Sequence, residues 1–364
     1  MKVTVARDRF LDKLAKAERV VGKNPSLPVL GCILLEVKGK HLVIRATNLD
    51  VGFEASVAAQ VDSEGSVAVP GGVLASYVQG LGFEAKLTIE LSDGNLHVTG
   101  DRSDTTVKAV PHEDFPVLPQ LEGSPFSIES TDLVTGLKSV SYAAAASTMK
   151  PELASVYIYG EGDNLVFAAT DSFRLAEKKV SVRGAGDFSP VLVPARNVAE
   201  VIRVFESSRE PVEVRSDKSQ IAFSGSAGYL ASRVVDGSFP DYRQIIPRSY
   251  KTEVICLKQD ALSALKLSTV FSDKFNQVTV TADPAGSLAV ETKSAERGES
   301  RTTLPSTVRG EEVQLSFNQR YLSDCFPSID SESIRFRFDG AGRPLVVCGV
   351  SDPSFTYLVM PISR

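Results

Sequence analysis

The chain is 364 residues long with a formal charge of -5 at neutral pH, which leaves room for two to four domains and is too acidic for a protein that holds nucleic acid through a general excess of positive charge. No stretch approaches the roughly 18 uninterrupted apolar residues of a membrane span, and Met1-Lys2-Val3-Thr4-Val5-Ala6 opens without the apolar run of a secretory leader, so a cytoplasmic protein with no membrane contact is expected. Cys32, Cys256, Cys325 and Cys348 stand far apart and His41, His97 and His112 fit no ligand spacing, so buried reduced thiols are expected, with no metal and no cofactor.

Apolar residues three or four apart, Leu11, Leu14, Ala17 and Val21, predict an amphipathic helix at the start. A strand through Leu42 follows, then Val67-Ala68-Val69-Pro70, where proline ends a strand and frees the chain to begin a helix over 73–80. The alternating run Ile89-Glu90-Leu91-Ser92-Asp93, a turn, and a second strand closing at Gly100 predict a β-hairpin with one buried face. Phe115-Pro116-Val117-Leu118-Pro119 then reads as a linker.

The same order returns twice. Leu133, Leu137 and Val140 predict the next helix, Leu165 marks a strand, and Val191-Leu192-Val193-Pro194 leads into a helix over 197–205. Val212-Glu213-Val214-Arg215-Ser216-Asp217 opens a hairpin that closes at Gly225, ahead of a Pro-rich stretch beginning Phe239-Pro240. In the third passage, Leu262 and Leu265 stand for the helix and Leu288 for the strand. Val313-Gln314-Leu315-Ser316, lacking the proline, precedes a helix over 319–325, and Ile334-Arg335-Phe336-Arg337-Phe338-Asp339 opens the hairpin that closes at Gly349. The closing glycines lie 125 and 124 residues apart and the three leucines 123 apart, so independent landmarks agree on one period. The expectation is an α+β chain of three tandem homologous domains, 1–121, 122–249 and 250–364, each large enough for its own core.

No G-x-S-x-G elbow, phosphate-binding loop or dinucleotide fingerprint is present, so no catalytic residue is assigned and the chain is expected not to be an enzyme. Asp171 and Asp241 could act as an acid/base pair, but Asp171 is expected to satisfy turn amides ahead of Arg174. A monomeric peptide-binding scaffold, or an α+β enzyme without a recognisable motif, are the competing readings.

Four segments carry a resemblance: Pro25-Ser26-Leu27-Pro28-Val29-Leu30-Gly31; Ala169-Thr170-Asp171-Ser172-Phe173-Arg174-Leu175-Ala176; Val235-Asp236-Gly237-Ser238-Phe239-Pro240-Asp241-Tyr242; and Tyr357-Leu358-Val359-Met360-Pro361-Ile362. In this order, on three repeats, the chain resembles the β subunit of bacterial DNA polymerase III, the sliding clamp family, over its whole length. That resemblance implies a head-to-tail homodimer closed into a ring, with helices lining the hole and antiparallel sheets outside. A basic inner surface and an acidic outer one would reconcile the net charge with duplex DNA held without regard to sequence.

The resemblance also supplies expected site residues. Lys13, Lys16 and Lys138 on first helices and Arg196, Arg203 and Arg320 at second ones are candidates to face DNA, with Lys23, Asn24 and Lys150 at matching loop positions. The first repeat's second helix, starting Gly71-Gly72-Val73, offers no such cation. A groove for short linear peptides from the polymerase catalytic subunit, the clamp loader and other replication or repair proteins would be formed by Leu153, Thr170, Ser172, Phe173, Arg174, Leu175, Pro240, Gln244, Ile245, Leu358, Val359, Met360, Pro361 and Ile362, with Arg174 orienting the peptide. Ser172-Phe173 and Gln244 depart from the Gly-His and Arg of some members, which bears on peptide preference. Thr105 and Val107 would face Val270 and Phe271 across the dimer interface.

Overall fold

The computed structural model describes residues 1–22, 27–122 and 125–362, and they form two compact units: Met1–Val134 with Arg196–Val234, and Thr135–Ala195 with Val235–Arg364. The middle repeat contributes to both. Among the described residues there are six α-helices, α1 (Arg7–Val20), α2 (Gly71–Gly80), α3 (Ser130–Val140), α4 (Ala195–Phe205), α5 (Lys258–Val270) and α6 (Gln319–Asp324), and the remaining regular structure is mostly antiparallel strand. None of these helices is long and apolar enough to cross a membrane.

The helices form where the apolar spacing demands. In α1 the buried stripe is Phe10, Leu14, Ala17 and Val20, while Leu11 is half-buried and Val21 caps the helix. Phe10 and Leu11 both lie three or four residues before Leu14, and the larger ring takes the inward position. Asp8 in the first turn and Arg19 in the last complement the helix dipole. Buried Arg7 reaches across to the end of α2, donating from Nε to Val78 O (3.1 Å), which also accepts the N–H of Leu81 at the cap, and from Nη2 to Gln79 O (2.7 Å). Burial pushes the Cys256 thiol up to about 12 and raises those of Cys32, Cys325 and Cys348 as well, so these side chains act as small apolar groups.

Each unit is organised by one kind of strand pairing. In every repeat a long lateral strand follows a tight turn: Val51–Ser63, Arg174–Ser181 and Gly298–Pro305. Every repeat also ends in a final strand, Asp104–Lys108, Gly228–Arg233 and Phe355–Val359. In the first unit the lateral strand of repeat one pairs with the final strand of repeat two, Phe53 opposite Leu230 and Gly52 opposite Ala231. In the second unit the lateral strand of repeat two pairs with the final strand of repeat three, Ala176 opposite Tyr357 and Leu175 opposite Leu358. Two strands lack such a partner among the described residues. Asp104–Lys108 ends its sheet beside Asn95–Thr99, and Gly298–Pro305 ends a four-stranded sheet beside Ser287–Ser294.

The hairpin-closing glycine of the first repeat has a steric reason. A Cβ on Gly100 would lie 2.4 Å from Glu84 Cδ, whose carboxylate accepts the N–H groups of Asp101 (2.8 Å) and Arg102 (2.9 Å) and the Ser103 hydroxyl (2.9 Å).

The lateral strand of the second unit is also tied to the segment leading into the final strand by a buried ion pair. Lys178 Nζ lies 3.3 Å from Asp352 Oδ2 and donates to Ser354 Oγ at 2.7 Å, with both charged side chains about nine-tenths buried. Burial pushes the Asp352 carboxyl up, but the Ser354 hydroxyl and amide together with Lys178 outweigh it and leave the group below its ordinary value. A carboxyl depressed in the folded chain stabilises it above the unfolded value of about 4, and that contribution is lost as pH falls through the depressed value. Asp352→Asn should therefore cost about 3 kcal/mol at neutral pH, because Lys178 stays buried without its counter-ion. The difference from the unsubstituted chain in urea unfolding should shrink as the pH is lowered below about 4.

Candidate functional site

The site is built on the turn before the second lateral strand. Thr170 Oγ1 donates to Arg174 O (2.6 Å) and accepts from Ser172 N (3.1 Å), and Asp171 Oδ1 accepts from Phe173 N (2.9 Å) and Arg174 N (3.0 Å). Asp171 thus binds the turn amides, as its sequence position suggested. Ser172 takes a left-handed backbone, φ 79°, which throws Phe173 outward, 61% exposed. The incoming final strand continues past its end, Met360 N–H donating to Phe173 O (2.8 Å), so Phe173, Leu175, Leu358 and Met360 gather at one place.

The linker after the middle repeat supplies a further wall. Tyr242 is buried; its hydroxyl donates to Glu177 Oε2 (2.5 Å) and is bonded to Tyr159 Oη (2.8 Å). Burial, then the Glu177 carboxylate, push the Tyr242 phenol far above its ordinary value and keep it a neutral donor. Phe239 stacks on Tyr157 with centroids 4.8 Å apart, and Arg243 donates to Tyr159 Oη (2.7 Å) and Glu161 Oε1 (2.5 Å). The linker is pinned at Phe239, Tyr242 and Arg243, and Pro240, Asp241 and Ile245 beside them line the groove.

The groove has a volume of about 280 Å³. Of the residues expected from sequence, Leu153, Thr170, Ser172, Phe173, Arg174, Leu175, Pro240, Ile245, Leu358 and Met360 line it. The other four stand apart from that lining. Val359 is fully buried between the strands of Arg174 and Leu345; Gln244 turns its Nε2 to Asp241 Oδ2 (2.7 Å); Pro361 and Ile362 follow the groove, with Ile362 N–H bonded to Ser316 O (2.7 Å). The lining also includes Glu152, Ser238, Asp241, Tyr242 and Pro344, and Lys150, which the sequence had suggested for DNA. Ser238, Asp241 and Tyr242 lay within a segment already singled out, whereas Pro344, in a hairpin loop, gives no sequence signal.

Arg174 is held by partners within its own chain. Its Nε donates to Asp171 Oδ2 (3.0 Å), Nη1 to Asp324 Oδ2 (2.5 Å) and Nη2 to Tyr142 O (2.6 Å), while its face lies 4.5 Å from the Tyr321 ring centroid. Burial works against its charge, yet Tyr357, Asp324 and Asp171 hold the guanidinium above the ordinary arginine value. It lines the groove and braces it to α6 through Asp324, because a buried guanidinium recruits every acceptor within reach.

The first unit contains the same turn with other side chains. Thr47 Oγ1 donates to Val51 O (2.9 Å), Asn48 Oδ1 accepts from Asp50 N and Val51 N, Leu49 has φ 74°, and Arg233 N–H donates to Asp50 O (2.9 Å). Where the groove has Leu175, Leu358, Met360 and Phe173, this place has Gly52, Ala231, Arg233 and Asp50. Leu118 also fills the space above Gly52, where a Cβ would meet its Cδ2 at 2.5 Å. The backbone scaffold is repeated and the apolar lining is not.

Among the described residues, four candidate cations of the first unit are already paired. Lys13 lies 3.2 Å and Lys16 3.3 Å from Asp12, Arg196 lies 2.9 Å from Asp50, and Arg203 bonds Glu200. α1 and α4 enclose a cleft of about 440 Å³ that includes Lys16, Arg19 and Arg203 beside Asp8, Asp12, Glu200 and Glu206. Lys138 on α3 and Arg320 on α6 are exposed, and Lys23 and Asn24 lie outside the described residues. Of the expected interface residues, Thr105 is half-buried, Val270 is 62% exposed and Phe271 is half-buried, whereas Val107 is 6% exposed and packs beneath its own sheet.

Three family models match the chain in succession: DNA polymerase III beta subunit N-terminal domain over residues 1–119, central domain over 127–241 and C-terminal domain over 243–363. Proteins named beta sliding clamp from Synechocystis (30% identical, covering 100% of this chain and 99% of that protein) and Caulobacter vibrioides (29%, 100% of both) are similar throughout. The crystal structure of DNA polymerase III beta subunit from Thermotoga maritima superposes with a TM-score of 0.93 at 26% identity, covering 100% of this chain and 99% of that one.

Replacing the brace should loosen the groove from beneath. Arg174→Ala removes the guanidinium from Asp171 Oδ2, Asp324 Oδ2 and the Tyr142 carbonyl and should lower stability by about 2–4 kcal/mol, read as an earlier urea midpoint.

Proposed function

The chain belongs to the DNA polymerase III beta subunit family, the sliding clamps, non-catalytic processivity factors of DNA replication, and from that membership we propose that two copies close head to tail into a ring around duplex DNA and tether polymerases through the groove. The observation that carries this reading is the repeated strand pairing. Lateral strand one takes final strand two, and lateral strand two takes final strand three. Lateral strand three and final strand one remain, on the same chain, as a complementary pair of edges. A third pairing of the same kind needs a second copy, and a heterologous contact of this type closes if the rotation per copy completes the circle.

The intrachain registers support one register for the proposed intermolecular pairing. Phe53 opposite Leu230 and Ala176 opposite Tyr357 correspond to Ser300 opposite Thr105, which sets Arg301 against Asp104. Thr105 and Ser300 are only half-buried where their counterparts are fully buried, as positions awaiting a partner strand would be. Val107 then contributes backbone pairing to the interface rather than its side chain, with Val270 and Phe271 near the opposite edge.

Enclosure removes the need for tight adhesion. Lys13, Lys16, Arg196 and Arg203 share their charge with carboxylates, so phosphate contacts would be weak and salt-sensitive, which suits sliding. Lys138, Arg320, Lys23 and Asn24 would add contacts of the same sequence-independent kind. The groove, apolar with adaptable Met360 at its edge, fits short linear peptides of the polymerase catalytic subunit, the clamp loader and repair proteins.

Thr105→Cys combined with Ser300→Cys should cross-link chains under mild oxidation, giving a reducible species of twice the chain mass on a denaturing gel. A native mass of one chain together with no cross-link would refute the ring. On DNA, retention should survive on circular but not on linear duplex at salt that abolishes simple binding. Equal loss from both forms would count against enclosure.

A further inference from the structure

The residues that line the groove fall into two groups of different charge. Phe173, Leu358 and Met360, gathered by the ladder between the turn and the final strand, are an apolar group. On the linker side, Glu152 Cβ lies 3.7 Å from where a Cβ on Gly237 would stand, and Ser238, Pro240 and Asp241 continue the wall. Among the described residues neither Glu152 nor Asp241 forms an ion pair. The side-chain partner of Asp241 is the neutral amide of Gln244, at 2.7 Å. Cations that could neutralise this wall are committed elsewhere: Arg174 to Asp171 and Asp324, Arg243 to Tyr159 and Glu161. Lys150 is the remaining lining cation, one ammonium against two carboxylates.

We propose that the groove selects linear peptides in which a basic side chain flanks the apolar anchors and faces Glu152 and Asp241. The proposal rests on the reading of the groove as a peptide site and adds the chemistry of the peptide it prefers. A lysine or arginine placed there gains attraction at the edge of an apolar, poorly hydrated surface, where screening by water is incomplete. A glutamate at the same place meets two like charges with no free guanidinium to offset them. Apolar anchoring supplies affinity, and the flanking charge supplies the choice between peptides.

The experiment uses three short fluorescein-labelled peptides that share a Leu-Leu-Phe core and carry lysine, serine or glutamate flanks, titrated by fluorescence polarisation against the full-length chain. The lysine-flanked peptide should bind about fivefold more tightly than the glutamate-flanked one at about 0.05 M salt, with the gap narrowing at about 0.3 M. Glu152→Gln combined with Asp241→Asn, checked for an unchanged melting curve, should reduce the gap to under about twofold, and Lys150→Ala alone should widen it. Equal affinity for the lysine and glutamate peptides, or the reverse order, overturns the proposal while serine-flanked binding keeps the groove. If no peptide binds, the groove reading falls and this inference with it.

Discussion

The backbone ladder between the lateral strand of one repeat and the final strand of the next governs most of what this chain can do. A sheet edge exposes a row of unsatisfied N–H and carbonyl groups, and the repeats satisfy those edges with each other. Pairing of Val51–Ser63 with Gly228–Arg233, and of Arg174–Ser181 with Phe355–Val359, joins neighbouring repeats by hydrogen bonds as well as by side-chain packing. The same ladder brings the tight turn ahead of each lateral strand against the chain leaving each final strand, which is where the groove forms. It also leaves one edge of each kind over, and the proposed ring follows from that remainder.

Scaffold and recognition are separated in this design. The turn at Thr47 and the turn at Thr170 share their hydrogen bonds, their left-handed residue and the amide that bonds back from the final strand. What differs is the side chains set on that frame. Leucine, methionine and phenylalanine build an apolar groove in the second unit; glycine, alanine, arginine and aspartate, with Leu118 packed inward, do not build one in the first. Backbone hydrogen bonds do not depend on side-chain identity, so the frame can persist through repeats while its lining diverges.

Charge follows a similar logic. The net charge of -5 coexists with lysines and arginines on α1 and α4 because acids stand beside them on the same helices or their neighbours. Such surface pairs stabilise the fold little, but they moderate how strongly the cations attract a polyanion. On the groove the balance is reversed: Arg174 and Arg243 are consumed by structural contacts, and Glu152 and Asp241 stand in the lining with Lys150 as the remaining cation.

The sequence by itself determined the threefold repeat, the α+β class, the helix faces built on Leu14, Ala17, Leu133 and Leu137, and the turn role of Asp171, because apolar periodicity and turn chemistry act over a few residues. Most of the groove was placed only by the family resemblance that contiguous segments around Thr170, Pro240 and Leu358 carry. Tertiary structure alone decided that Phe10 rather than Leu11 faces inward, that Val359 and Val107 point into cores, and that Gln244 turns to Asp241. It likewise assigned Arg174 to Asp324 and Tyr142, and brought Lys150, Glu152 and Pro344 to the groove. Those outcomes depend on which distant acceptor, ring or strand lies within a few ångströms, and neither spacing along the chain nor residue type encodes that distance.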